Sequence, residues 1–469
     1  MVSGGGETLT MITNEKYILP AAVLLLAFCC YCGGEQQPVP VPEGESDQAA
    51  VDSQTVSIIA EGGPGSGVLE RRPDPSGLVA VITLTAARDL PAGSPVSVNV
   101  EDLTEQLSPT LLHLREQNQP GRPGIPIQIE ASAPPRLWWL LPSGIKSGDV
   151  RLFDLCFGSP ESLTPVQLKL HQGALDLCIQ ENEVLRYHHA ERPPPPGEDP
   201  HYRRSGFIHP VWSPSGAVLT RIHPSDHIHH LGFWWPWTLT EYQSREIDFW
   251  NLGKGEGTVR FVQFEHLETG PVFGGFTAHH HYVDLQAASG EEIVLHELCH
   301  VRLWNLAETE PAIRIWDLSI TQWPAASHPL TVKKYRYGGF GFRATADWNP
   351  ENSAVLTSEG RDRENGNGTR VKWISASGVT DRGTAGILMM DHPSNARHPE
   401  PVRIWPEGDV FVGFCPVVEQ ELIILPGERD ERIYRILTCD REVDTAWAEL
   451  HWGAYAGGAV TEFSWIEEN

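Results

Sequence analysis

The chain has 469 residues and carries 35 Lys and Arg against 61 Asp and Glu, a formal net charge of -26. So acidic a surface repels nucleic acid and anionic lipid, which excludes a polyanionic partner, and the length exceeds one ordinary core, so two packed domains after a leader are expected. Trp, at 16, and His, at 20, are abundant while Met is scarce at 4; Trp faces stack on the apolar faces of sugars, and a Trp-rich β core is the other use of such a surplus.

Beyond Met11 the chain reads as a leader. Lys16 supplies positive charge, 18–28 is a short apolar run, and Cys29, Cys30 and Cys32 follow it. The run is too short to span a membrane. Residues 1–32 are therefore read as a signal peptide with a lipoprotein-type ending, although Phe28, Cys29 or Tyr31 is bulky where lipid processing prefers a small residue. An exported protein is expected, periplasmic, extracellular or lipid-anchored, touching a membrane only through such an anchor. Residues 33–53, rich in Gln, Pro, Glu and Gly, form no core and read as a flexible linker. Cys156, Cys178, Cys299, Cys415 and Cys439 are widely spaced with no C-x-x-C pair, and are expected to be buried thiols.

Short β-type runs at 78–84 and 96–100, punctuated by Pro and Gly, predict a small β-sandwich over 54–160. The runs 136–141 and 148–153 read as two strands about the Pro142-Ser143-Gly144 turn, one of them packing on the next domain. From 161 to 469 the alternation continues through 168–178, 184–188, 293–298 and 313–318. The runs 421–425 and 433–437 predict a hairpin about Pro426-Gly427. Only 443–452 reads as a helix, with Asp444 as its cap, Trp447 and Leu450 on one face and Gly453 as its stop. The expected fold is all-β: an N-terminal β-sandwich, then a larger antiparallel β-supersandwich with one short C-terminal helix.

The densest chemistry lies between His209 and Trp237, where His209, His223, His227, His229 and His230 place 5 His within 22 residues. In an extended chain His227 and His229 project to one face and His230 to the other, with Asp226 placed to orient a ring. Trp234, Trp235 and Trp237 follow. Three readings stand open. A metal site would join His227 and His229 to His279 and His281, which repeat the His-x-His spacing. A sugar site would use His as acid or base, a carboxylate partner such as Glu241, Glu246 or Asp248, and Trp faces for stacking. A turn-rich corner would use the rings only to satisfy backbone groups. The cluster as a whole points to function, since so many titratable rings are costly to bury idly.

A second polar knot, Asp391, His392, Arg397 and His398, follows the apolar run 386–390, where polar strand ends face a cleft; loop hydrogen bonding through Ser394 and Asn395 is the alternative. Lys254, Tyr337 and Arg343 can donate hydrogen bonds or positive charge, and Gly338-Gly339 marks a bulge or a close backbone approach. The Gly-rich stretch 253–257 lacks a phosphate-loop ending, and neither a dinucleotide fingerprint nor a G-x-S-x-G elbow is present.

The motifs YRRSGFIHP at 202–210, WSPSG at 212–216, DHIHHLG at 226–232, DFWNLGKG at 248–255, YGGFGFR at 337–343 and DHPSNARHP at 391–399 together resemble the PmoA-like family, in order over roughly 165–440. Ile228 and Leu231 depart from the pattern, where Pro and Arg are more usual. The resemblance implies an exported bacterial protein of polysaccharide-degrading lineages. The family's methane-oxygenase label is not expected to hold, because the membrane subunit it evokes needs several apolar spans of about 20 residues and none follows the leader. The strand pattern and the 425–428 turn are similar to galactose-mutarotase-like domains, which bind sugars and include epimerases and lyases.

The expected function is that of a carbohydrate-active protein of epimerase, lyase or hydrolase type, with a cell-surface sugar-binding or scaffold protein as the alternative. His227, His229, Asp391 and His392 are the expected catalytic groups. His209, Asp226, His230, Trp234, Trp235, Trp237, Lys254, Tyr337, Arg343 and Arg397 are the expected substrate contacts. The partner is a small carbohydrate; no cofactor is required, and a divalent metal would sit at the His-x-His segments.

Overall fold

The computed structural model describes residues 56–57, 77–100, 112–119, 121–158, 164–307, 310 and 312–466; the expected leader and linker, 1–53, lie outside the described residues. All strand pairing among them is antiparallel, and Thr445–Tyr455 is their one α-helix.

Alternation builds the N-terminal sandwich. In Leu78–Ala86 the side chains of Ile82, Leu84 and Ala86 turn inward while their neighbours are half-exposed or exposed. The sheet runs Ala459–Trp465, Leu78–Ala86, Val150–Phe157, Leu112–Glu116, Ile125–Pro126, facing a three-stranded sheet of Pro95–Asn99, Arg136–Leu140 and Gln128–Glu130. The last described strand, Ala459–Trp465, thus closes the first sheet, with Ile82 opposite Phe463. Arg136–Leu140 serves two cores through its pleat. Leu137 and Trp139 enter the sandwich, whereas Leu140, with Trp138 packed alongside, joins Phe273 and Trp304 on the other side, the Trp138 and Trp304 rings 5.1 Å apart.

The larger body is a ten-stranded sheet stacked on an eight-stranded one. Phe233, Phe342 and Val412 from the first and Phe276, Val301, Trp316 and Ile436 from the second share one apolar cluster. At roughly 1.5–3 kcal/mol for each fully buried large apolar side chain, that cluster holds the sheets together. The middle of the ten-stranded sheet, Phe207–Val211, Phe233–Trp234, Phe340–Arg343 and Phe411–Phe414, carries the candidate site on its other face.

Three local expectations are corrected. The run 168–178 is two strands, Gln167–His171 and Ala174–Ile179, because the chain turns at Gly173 with φ +93°, a conformation that favours glycine. Leu422–Ile424 and Asp430–Cys439 form no hairpin: the first pairs with Leu330–Val332, and the second lies between Ile313–Pro324 and Gly383–Asp391. The helix starts as expected, Asp444 Oδ1 accepting from Trp447 N at 2.9 Å. It runs through Gly453 to Tyr455 and buries Ala448, His451 and Trp452. Cys156, Cys178, Cys299, Cys415 and Cys439 are buried, as expected. Gly339, at φ +112°, lets Phe414 O approach within 2.7 Å of where a Cβ would stand.

Candidate functional site

The loop that carries the histidines is pinned at its root. Ile222 bridges to Leu231, His223 N donates to His230 O at 2.9 Å, and the His223 ring lies 2.7 Å from Ile228 O through Nδ1. Between these points the chain is turned rather than extended, His227 N bonding Pro224 O and His230 N bonding His227 O. The expected split of rings between two faces is thereby corrected. His227 stacks on His230 at 4.7 Å, and His229 stands edge-on to both, at 5.8 and 4.8 Å.

Arg343, at the end of its strand and wholly buried, is the anchor. Its Nη2 donates to both oxygens of Asp226 at 2.7 Å and to Asp409 at 3.0 Å, and Arg221 pairs with the same Asp409. Asp226 also accepts from His227 Nδ1 at 3.0 Å. Burial pushes the Asp226 carboxyl up, but the hydrogen bonds from Arg343 and His227 outweigh it and hold it at about 2. Burial lowers His229 to about 4, with the His227 charge adding to it, and drives His230 well below the usual imidazole value. At neutral pH the loop therefore presents an ionised carboxylate that orients one imidazole, beside a neutral one with a free lone pair.

Around the rings stand residues from distant segments. Trp405 meets the His227 ring edge-on at 5.1 Å, under the Arg403 guanidinium at 5.0 Å. Trp250 lies 6.3 Å from His230 and 5.7 Å from Tyr337. Its loop is built on Asp248, which accepts from Trp250 N and Asn251 N at 2.9 and 2.8 Å and pairs with Lys254 at 2.8 Å. Tyr337 donates to Asn251 Oδ1 at 3.2 Å. Asp226, His227, His229, His230, Arg343, Tyr337 and Lys254 thus share one neighbourhood. Asp409, Trp250, Arg403 and Trp405 join it, and sequence reasoning did not single them out as contacts: what brings each to the histidine turn is pairing with residues remote in the chain.

Other expected contacts go elsewhere. Trp234, Trp235 and Trp237 are buried and offer no open face for stacking. Trp234 backs the His230 ring at 4.8 Å, whereas Trp235 and Trp237 point between the sheets to Glu297 and Gln322, both at 2.8 Å. His209 bonds Thr220 Oγ1 at 2.9 Å, and burial lowers it to about 3. The second knot is closed on itself: Asp391 binds His398 Nδ1 at 2.7 Å, Glu400 N at 3.0 Å and Asn395 Nδ2 at 2.7 Å. His392 Nδ1 lies 2.6 Å from Ser394 Oγ, and Arg397 donates to the carbonyls of Pro416 and Gln420 at 3.1 Å. Among the described contacts none links Asp391, His392 or Arg397 to the His227–His230 turn.

That knot has its own signature. Burial pushes Asp391 up to about 6, and pushes the wholly buried Glu400 well above the usual carboxylate range, with the Asp391 charge adding to it. A carboxyl raised by folding contributes stability that is complete below its ordinary range and is lost as pH rises through the folded value. Glu400→Gln, which keeps an acceptor for the Tyr434 hydroxyl now 3.0 Å from the carboxylate, should therefore shrink the loss of urea stability that accompanies a rise in pH above the ordinary carboxylate range. An unchanged loss would contradict this account.

A cavity of about 1060 Å³ opens elsewhere, lined by Arg115, Gln117, Asp154, Pro271 and Asn305 among others. No expected site residue lines it, and its described walls carry no histidine.

Among solved structures, the chain is similar to heparan sulfate lyase HepC from Pedobacter heparinus at 7% identity, over 62% of this chain and 38% of that one, with TM-scores of 0.26 for a mutant and 0.22 for HepC itself. It is similar to a TPR-domain containing protein from Parabacteroides distasonis at 9% identity, over 76% and 57% of the two chains, with a TM-score of 0.25. The chain thus spans less than two thirds of each, and at these scores the superpositions establish no common fold. No curated protein matches it. A sequence model of a family of unknown function does match over residues 174–453, taking in the histidine turn, Arg343, Asp409 and the knot at Asp391, and the chain belongs to that family, DUF6807.

Proposed function

We propose that this is an exported carbohydrate-active protein whose pocket is the His227–His230 turn with Asp226, Arg343, Asp409 and Trp405. One observation carries the reading: the buried Arg343 holds an ionised Asp226 against His227 while His229, neutral at physiological pH, stands beside them. An oriented imidazole next to an unprotonated one is what a proton transfer to or from a sugar carbon or hydroxyl needs, whether the outcome is epimerisation, elimination or hydrolysis. The half-buried Trp405, Tyr337 and Asn251 add an aromatic face and paired hydrogen-bonding groups suited to hydroxyl-rich ligands. The PmoA-like motifs and the likeness of the strand pattern to galactose-mutarotase-like domains support the same class. Oxygenation of methane is not the reading we propose.

The test is incubation with a library of sugars and keto-sugars, read by mass spectrometry and NMR, for wild type and His229→Ala. Turnover should fall by about 10²–10⁴-fold in the variant. Equal product from both proteins would remove His229 from the mechanism. Saturable binding without product in either would favour the sugar-binding alternative.

A further inference from the structure

We propose that His279, His281 and His296 form a divalent metal site of the zinc class on the outer face of the eight-stranded sheet, apart from the pocket above. The strand register creates it. His281 lies directly opposite His296 on the neighbouring strand, and His279, two residues along, projects to the same side. Each ring offers one nitrogen, and these atoms lie within 4.8 Å of one another. The closest approach, His279 Nε2 to His296 Nδ1, is 3.1 Å. Two nitrogens bound tetrahedrally at 2.0–2.1 Å from zinc stand about 3.3 Å apart, so this pair is close to ligand spacing already.

The surroundings suit a ligand set. Glu265 Oε1 is 3.4 Å from His279 Nδ1, the carboxylate that fixes the tautomer of a metal-bound imidazole and leaves Nε2 free to ligate. Trp323 stacks on His296 and His279, at 5.5 and 6.1 Å, limiting their rotation. Beneath the site, His280 and Glu297 alternate with these residues and bind one another at 2.7 Å inside the core, so the two strands cannot slip without breaking a buried pair. Three protein ligands and an exposed side leave a fourth position for water or an exogenous ligand, as in zinc sites that bind or activate one. Arg260, opposite His281 in the register, pairs with Glu291 at 2.5 and 2.8 Å, which offsets its charge near the cation.

Tag-free protein stripped with chelator should bind one equivalent of zinc by calorimetry, and cobalt(II) should give the visible absorption of a tetrahedral site. His281→Ala and His296→Ala should each weaken zinc binding by at least about tenfold and abolish that absorption, and Glu265→Gln should weaken it by about 10–100-fold. His229→Ala, in the other site, should leave it unchanged, which separates failure here from failure of the carbohydrate reading. Circular dichroism checks that each variant folds. No zinc taken up by the wild type, or uptake that His281→Ala and His296→Ala leave intact, would overturn the proposal.

Discussion

Glu297→Ala is expected to lower folding stability by about 3–5 kcal/mol, the range for stranding the partners of a buried charge. Glu297 is wholly buried and accepts from His280 Nδ1 at 2.7 Å, Trp235 Nε1 at 2.8 Å, Tyr282 Oη at 2.9 Å and Gln322 Nε2 at 2.6 Å. Gln322 carries the network on, accepting from Trp237 Nε1 at 2.8 Å and Arg432 Nη2 at 2.7 Å. Alanine would leave these donors facing a void between the sheets, each unpaired group adding about 1–3 kcal/mol in isolation. Burial pushes the Glu297 carboxyl up, yet the His280 hydrogen bond and charge, with the other donors, hold it below the usual carboxylate range. A carboxyl lowered by folding contributes stability present above its ordinary range and lost as pH falls through the folded value. The gap between wild type and variant should therefore be full near neutrality and narrow in acid. Glu297→Gln, which keeps one oxygen and the shape, should cost less. Urea unfolding followed by Trp fluorescence measures all three; a difference below about 1 kcal/mol for the alanine variant would show that the network contributes little.

The all-β class was legible because a β-type run is a local signal: 78–84, apolar and β-branched between Pro and Gly turns, already marks the strand Leu78–Ala86. Asp444 was legible as a cap for the same reason, since its acceptor and donor lie three residues apart. Pairing was not. Pro426-Gly427 is a sound turn signal, but the flanking strands go to different sheets, Leu422–Ile424 pairing with Leu330–Val332 and Asp430–Cys439 with Ile313–Pro324. The face of an aromatic was equally hidden. Trp234 and Trp235 are neighbours, and the pleat sends one under His230 and the other between the sheets. Arg343 was visible as a donor, whereas Asp409, 66 residues on, was not. The His279-x-His281 spacing was legible too, but it was coupled to His227 and His229 rather than to His296, because only the register of two long strands shows which ring lies opposite.

The anchor of the proposed pocket makes an ordering that can be measured. Arg343 has no exposed side-chain surface, while Asp226 and Asp409 are 41% and 32% exposed. Arg343→Met removes the buried charge together with its bonds. The two carboxylates it leaves can turn to water, and methionine fills part of the space, so the loss should stay under the roughly 3–5 kcal/mol of a fully buried broken pair. The double substitution Asp226→Asn with Asp409→Asn does the opposite, stranding a guanidinium that cannot reach solvent, and should reach that range. Removing the acids should therefore destabilise more than removing the base, and it also takes the Asp226–His227 and Asp409–Arg221 pairs that Arg343→Met leaves in place. The single variants Asp226→Asn and Asp409→Asn should sum to less than the double, because either acid alone still partners Arg343 and the sites are coupled. Arg343→Met has a second readout. With the guanidinium gone, the Asp226 carboxyl, held at about 2 first against burial by its bonds from Arg343, should titrate at higher pH by NMR. If its titration stays where it is in the wild type, Arg343 does not position the Asp226–His227 pair.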